Sequence, residues 1–462
     1  MNSCVNDNPG AQVPFQIKNP QLMPVERYYS EEFYQLECER LWPHVWQMAC
    51  RLEQIQNVGD WVEYKNAGKT VLVVRTESGI KVYHNACRHR GVPLTTGSHG
   101  NQKGGFVCPF HGWRWDLEGQ NTVVYGRQLF SDEVMQKEEL ALPQVRYEVW
   151  GGCVFINFDD DAPSLREHLG PVAERLEAHG VDNLRAEWWY ATELPANWKV
   201  AMEAFQEGFH VMRTHPQLQQ ASPHVYNARY AGIGEPINTG MSTRQNVQAQ
   251  FDHMARLGTG MAGMVHAKEV AIARQLLDVE LPEDPREGVP MWFGIVQDQI
   301  TQQLRAQGEP VPDLNAVAVS DPIEAVEFIF PHYFLLPFFT SMSSYRVRPL
   351  GPERCLFEIW SLTTFPEGQE PSPPLQPTML PYDSKEFPEI PQQDFSNIPL
   401  QQQGLRGGGI KHLRLAQGIE GLISNYQRII DGYLSGKNKD QLAQATQQLG
   451  GNFDGKIKDL GF

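Results

Sequence analysis

The sequence has little cysteine for its length and no excess of positive charge. Seven cysteines in 462 residues are too few, and too irregularly spaced, for the disulfide framework of a small secreted domain. Lys and Arg number 39 against 55 Asp and Glu, a net charge of −16. Nucleic acids and anionic membranes attract clusters of Lys and Arg. No such run is present, so neither is an expected partner. Long apolar runs are missing too. The most apolar stretch, 333–339, is short and broken by Pro337, far from the roughly 20 residues that a membrane helix needs. The opening M-N-S-C-V-N-D-N-P-G lacks the basic and apolar segments of a secretion signal. A cytoplasmic location is therefore expected, with Cys4, Cys38, Cys50, Cys153 and Cys355 as reduced thiols. The length predicts two or three domains on a prior of about 150 residues each. No internal repeat is evident.

What is present is concentrated in Cys87, His89, Cys108 and His111. They stand in C-R-H-R-G (87–91) and C-P-F-H-G-W (108–113). Two such pairs can hold a [2Fe–2S] cluster, with both thiolates on one iron and both imidazoles on the other. Neutral imidazole in place of thiolate removes negative charge, which raises the potential to roughly −150 to +300 mV from about −400 mV. Cys2His2 is also a common zinc set, but zinc fingers usually group two Cys and then two His. Here each pair is mixed, with the loop formers Gly91, Pro93, Gly112 and Gly119 around it. Val107 and Trp113 to Trp115 are suited to packing around a cluster. With C-P-F-H-G-W-R-W-D-L-E-G after C-R-H-R-G, the chain resembles the Rieske-type non-heme iron aromatic ring-hydroxylating oxygenases, in their catalytic α subunit.

An α+β fold is expected: an N-terminal antiparallel β domain holding the cluster, then an α+β catalytic domain with a central antiparallel sheet and a long C-terminal helix. Residues 1–45 read as a helical segment packing on the catalytic domain, with an amphipathic helix over 29–46. Residues 46–160 read as the Rieske domain, rich in β-branched and aromatic strand patterns with Gly punctuation. Residues 161–462 read as the catalytic domain. Within it 240–320 is an insertion, a lid or an oligomer contact, with helices over 262–277 and 292–307. The segment 366–377 reads as an exposed loop, and 411–434 as one long amphipathic helix.

A second constellation, N-W-K-V-A-M-E-A-F-Q-E-G-F-H-V-M-R-T-H, spans 197–215. At about 100° per residue a helix puts Glu203, Glu207 and His210 on one face. Pro216 disfavours helical geometry at His215, so the helix is expected to end there and His215 to turn back toward His210. Two histidines and a carboxylate from elsewhere make a facial triad with open positions on Fe(II). Taken alone, a His pair five apart is weak evidence and fits an ordinary core or surface pair better than a metal site. The cluster motif upstream changes that, because an electron relay needs a destination.

The family resemblance extends over this segment and implies His210 and His215 as ligands of a mononuclear Fe(II). It also implies an acid three residues before the first histidine. That place is commonly Asp and is Glu207 here, one methylene longer. The third ligand is expected at Asp394, in P-Q-Q-D-F-S-N-I-P-L-Q-Q-Q-G-L ahead of the closing helix, with Glu389, Glu386 and Asp383 as alternatives. Family members resemble rings, commonly homotrimers, in which His111 of one subunit would hydrogen-bond Glu207 of the next. The implied partners are O2, a small apolar substrate and a flavin/iron–sulfur reductase or ferredoxin. The implied activity is cis-dihydroxylation or monooxygenation of an aromatic or polycyclic substrate. Oxidative demethylation by a monooxygenase is the alternative, and an electron carrier without oxygenase activity a more distant one. Phe205, Phe209, Met212, Phe330, Phe334 and Phe338 are expected to line an apolar pocket, against the alternative of ordinary sheet core.

Overall fold

Alternating side chains in three neighbouring strands build the sheet that organises the second half of the chain. The structure, a computed structural model, describes residues 12–219, 237–323, 326–450 and 455–462; Cys4 lies outside them. The sheet has six strands, in the order Glu327–Ile329, Tyr333–Pro337, Met342–Gly351, Arg354–Thr363, Arg185–Leu194 and Thr378–Met379. All neighbours are antiparallel except the last pair, where Tyr190 and Ala191 run parallel to Thr378 and Met379. Successive strand residues point to opposite faces. Tyr345, Val347, Phe357 and Ile359 therefore join one core, while Met342, Trp360 and Leu362 join another. Helices cover the first face and carry the candidate iron ligands.

The cluster-bearing part is mainly β and loop, with one helical turn at Lys137–Leu140 and short 3-10 turns. Asp60–Asn66, Lys69–Thr76, Gly79–His84 and His99–Asn101 form a four-stranded antiparallel sheet. Phe106–Val107, Arg114–Trp115 and Asn121–Val123 form a second, and Gln47–Arg51, Arg146–Trp150 and Cys153–Asn157 a third. Arg346 ties this part to the central sheet. Its guanidinium donates to the Met48 and Ala49 carbonyls at 2.9 and 2.7 Å and pairs with the buried Glu358 at 2.7 Å. Cys38, Cys50, Cys153 and Cys355 are free thiols.

Several helices differ from the sequence reading. The helix expected over 411–434 occupies only Gly421–Leu434, and His412–Arg414 is a strand paired with Leu22–Pro24. Leu413 and Leu415 are two apart, the strand period rather than the helix period; Leu415 packs with Met23 and Ile423. The helix expected over 29–46 is Glu31–Arg40, capped where Ser30 accepts from the Phe33 N–H, then a 3-10 turn around Pro43. In the insertion, the reading over 262–277 shrinks to Ala267–Arg274, while 292–307 grows into Pro285–Ala306. Thr243–Gly260 went unread, because Asn246 and Gln250 share its buried face with Val247, Phe251, Met254 and Leu257. Polar residues on the inner face blur the apolar period.

A buried polar network joins the N-terminal segment to the closing helix. Arg27 donates to Gln427 Oε1 at 2.8 Å and pairs with Asp431, while the Tyr28 hydroxyl donates to Glu203 at 2.9 Å. Lys199 pairs with Glu37 at 2.6 Å, both side chains fully buried. A buried ion is tolerated only with such partners. Burial pushes the Glu203 carboxyl up to about 7 even so.

Candidate active site

The two cluster loops repeat one backbone design. The Cys87 N–H donates to the Val92 carbonyl and the Gly91 N–H to the Cys87 carbonyl, both at 2.9 Å. In the other loop the Cys108 N–H donates to Trp113 at 2.8 Å and the Gly112 N–H to Cys108 at 3.1 Å. Gly91 and Gly112 close these turns with φ of 76° and 69°, a region that costs glycine little. Both thiols are buried and both imidazoles half-buried. His89 stacks on Trp113 with ring centroids 4.8 Å apart, and its Nδ1 lies 3.2 Å from Nδ1 of His111. Two ring nitrogens that close can share one metal ion at bonds of about 2 Å, which leaves each Nε2 facing outward. Burial and the neighbouring His111 hold His89 below the usual imidazole range, the direction that suits a neutral metal ligand. The donor set fits a Rieske cluster.

The second constellation is not one helix. Trp198–Glu203 is helical, the chain then turns through 204–210, and only Val211–Thr214 is helical again. Glu203 and Glu207 therefore part company: Glu203 points into the Tyr28–Gln427 network, and Glu207 folds back on the turn. One Glu207 oxygen accepts from the backbone N–H groups of Phe209 and His210, the latter at 3.0 Å, and the other lies 2.6 Å from His210 Nδ1. The acid braces the turn that precedes the helix at Val211. As the sequence suggested, helical geometry ends at Thr214, and His215 adopts φ −124° and ψ 55° before Pro216.

Asp394 lies within a helix of its own, Glu389–Arg406, hidden in the sequence by Pro391 and Pro399. One donor atom each from His210, His215 and Asp394 falls within 4.8 Å of the others. His215 Nε2 is 2.9 Å and His210 Nε2 3.7 Å from Asp394 Oδ1. Gln393 Oε1 sits 2.5 Å from His215 Nδ1. An amide oxygen only accepts, so Nδ1 carries the proton and Nε2 turns its lone pair toward Asp394. Glu207 does the same for His210. Burial pulls the His210 pKa down, but Glu207 and Asp394 outweigh it and the net shift is upward. Two carboxylates around two imidazoles leave a negative charge that a divalent cation would balance. The donor set thus fits the 2-His-1-carboxylate pattern of non-heme iron. Gln393 went unread because a glutamine beside an acid has no signature of its own.

Phe205 lies on the sheet face that adjoins these ligands. Its ring is 4.7 Å from Phe334, 5.3 Å from Tyr345 and 5.8 Å from Phe357, and Phe357 is 5.2 Å from Phe395 beside Asp394. Phe338 packs edge-on against Phe339. Met212 is half-buried and Phe209 is 43% exposed. Phe330 sits elsewhere, stacked on Tyr433 at 5.7 Å and edge-on to Tyr426, both in the closing helix.

Residues 181–436 match the family model described as ring hydroxylating alpha subunit (catalytic domain), and residues 45–127 match the Rieske [2Fe-2S] domain. The chain belongs to the ring-hydroxylating α-subunit family. This pairing of domains implies a Rieske cluster and a mononuclear iron. Among curated relatives, the carnitine monooxygenase oxygenase subunit of Acinetobacter baumannii is 30% identical over 192 residues, 41% of this chain and 51% of the relative. The biphenyl 2,3-dioxygenase α subunit of Rhodococcus jostii is 34% identical over 188 residues, 38% of this chain and 39% of the relative. The chain thus spans about half, or less, of the curated relatives it matches. A naphthalene 1,2-dioxygenase variant bound to phenanthrene shares the fold with a TM-score of 0.63 at 20% identity, over 95% of this chain and 97% of that one. A quaternary ammonium monooxygenase shares it at 0.57 and 17% identity, over 90% and 96%. Among the described residues no helix is long and apolar enough to cross a membrane.

Proposed function

We propose that this chain is the oxygenase component of an O2-dependent enzyme that hydroxylates an apolar, aromatic or polycyclic molecule with electrons from a reductase or ferredoxin. The convergence of His210, His215 and Asp394 within 4.8 Å, beside a wall of rings, carries this reading. In it Cys87, His89, Cys108 and His111 hold the cluster, and His210, His215 and Asp394 hold Fe(II). When bound, these centres supply an electron relay and open coordination positions for O2. The chain's own side chains position and protect. Glu207 and Gln393 hold the Nδ1 protons and so aim both Nε2 atoms, while Phe205 and its neighbours keep water out. Monooxygenation, with oxidative demethylation as one form of it, is the second reading; the likeness to carnitine monooxygenase favours insertion of a single oxygen atom.

The active unit in this reading is a ring of three, with the cluster of one subunit against the iron site of the next. Phe110, packed on His111, Tyr125 beside Gly112 and Leu129 beside Gly126 support it: they stand 57%, 70% and 81% exposed. Exposed apolar clusters of this kind mark interfaces. The purified protein is expected to be brown, with one [2Fe–2S] cluster and one further iron per chain by metal and sulfide analysis. Equimolar zinc without sulfide would refute the cluster. Turnover of a substrate panel under labelled O2 separates two incorporated oxygen atoms from one.

Gln393→Ala is the milder test of the triad. It frees the His215 ring while leaving every ligand atom in place. Loss of such an outer contact typically costs roughly 10- to 100-fold in metal affinity. Iron should be stripped by correspondingly weaker chelation, with cluster absorbance unchanged. Identical iron retention would show that Gln393 does not hold the ring.

A further inference from the structure

The ring wall beside the iron ligands contains two hydroxyls that the fold leaves with no partner but each other. Tyr345 and Ser343 lie two apart on one strand and so share its helix-facing side, opposite Phe334 and Leu336 on one neighbour and Ile359 and Ser361 on the other. Both are fully buried, and among the described residues neither oxygen has a hydrogen-bond partner other than its neighbour in the pair. The same strand provides its own control. On its other face the Ser344 hydroxyl donates to Tyr333 at 2.7 Å, and on the shared face Ser361 reaches Glu187 at 3.3 Å. Buried hydroxyls normally find partners, because leaving one unpaired is costly. Burial raises the Tyr345 pKa, its hydrogen-bonding contact with the Ser343 hydroxyl lowers it somewhat and the charge on Asp394 raises it further. The phenol therefore stays protonated, within electrostatic reach of the triad.

We infer that Tyr345 and Ser343 form a polar anchor for the substrate, selecting a flat apolar molecule that carries one uncharged oxygen, a hydroxyl or a carbonyl. The inference rests on the oxygenase reading and adds the substrate class to it. The rings of Phe205 and Phe334 pack on Tyr345 at 5.3 and 4.7 Å, so they grip the apolar body. This wall offers two neutral hydroxyls not bonded to the rest of the fold, each able to donate or accept. A carboxylate would meet no cation there. Both oxygens are sealed from solvent with no ligand present, and the substrate reaches them by parting the ring contacts.

Equilibrium binding to the anaerobic holoprotein tests this with matched probes: naphthol against naphthalene, indanone against indane, and hydroxybiphenyl against biphenyl. The oxygenated member of at least one pair is expected to bind roughly tenfold more tightly, the scale of one net hydrogen bond. Tyr345→Phe should bring that ratio close to one and Ser343→Ala should reduce it, with metal content intact. Because neither hydroxyl is bonded to the rest of the fold, neither substitution should lower the melting temperature appreciably. A wild-type protein with no preference in any pair overturns the inference. So does a preference that survives both substitutions, or a loss of stability in both with the ratio unchanged. Binding is read without turnover, so failure here leaves the triad standing. Failure of the triad would appear as wrong metal content with the ratio preserved.

Discussion

Asp394→Ala is expected to yield a brown, folded protein that keeps its [2Fe–2S] cluster but has lost the second iron and all measurable turnover. Asp394 is 4% exposed and its Oδ1 is the atom on which both histidines converge. Removing it leaves two neutral imidazoles, a weak set for a hard divalent ion that must keep open positions. No other described carboxylate shares the 4.8 Å group, so nothing nearby replaces it. The cluster ligands all lie between Cys87 and His111, in a separate core from Asp394, and should be indifferent. Asp394→Asn separates charge from volume: it keeps one oxygen and the packing, and should bind iron weakly. Iron analysis and cluster absorbance check all of this. Full iron content and activity in Asp394→Ala would mean that a different carboxylate completes the site.

The legibility of this site followed how local its signals were. Cys87, His89, Cys108 and His111 sit in two short loops whose chemistry and glycine turns are written in adjacent residues. His210 and His215 were readable because Pro216 fixes where helical geometry must stop. Asp394 could be named, yet its helix could not, since Pro391 in the first turn and Pro399 further on both argue locally against one. The first proline is tolerated there, and packing of Ile390, Phe395, Ile398 and Leu405 into the core outweighs the second. Tertiary burial overrode local propensity.

The turn at 204–210 misled for a different reason. Its residues have acceptable helix propensity, so a continuous helix with Glu203, Glu207 and His210 on one face was the natural reading. What breaks it is Glu207 itself, whose carboxylate captures the Phe209 and His210 N–H groups. Acidic side chains that cap nearby donors offer the backbone an alternative to continuing a helix. The break matters to the chemistry, because it lets Glu207 reach His210 Nδ1 while Glu203 turns to Tyr28. Long-range partners such as Gln393 and Tyr345 left no local trace. Each is an ordinary residue whose role arises only from what the fold sets beside it.

Glu207→Gln should retain both metals and yet transfer electrons between them slowly. The side chain is an outer contact of His210, so the ligand atoms survive, and an amide fills nearly the same volume. It lacks the negative charge, however, and its single oxygen cannot serve the backbone donors, His210 and a neighbour's imidazole together. His111 is suited to be that imidazole. Its Nδ1 faces His89, which leaves its Nε2–H on the exposed edge beside Phe110. Reoxidation of the reduced cluster in the presence of substrate and O2 should slow by roughly 10- to 100-fold, the range typical of outer-shell loss. Reduction of the cluster by its donor should stay normal. Mixed rings then decide whether the route crosses a subunit boundary. His111→Ala chains have an intact bridge but no working cluster; Glu207→Gln chains have the reverse. Any ring of three containing both kinds has one interface where an intact cluster meets an intact bridge, so mixtures should regain part of the lost activity. If co-assembly is demonstrated and activity stays at the level of the parents, electrons do not pass from His111 of one subunit to Glu207 of the next.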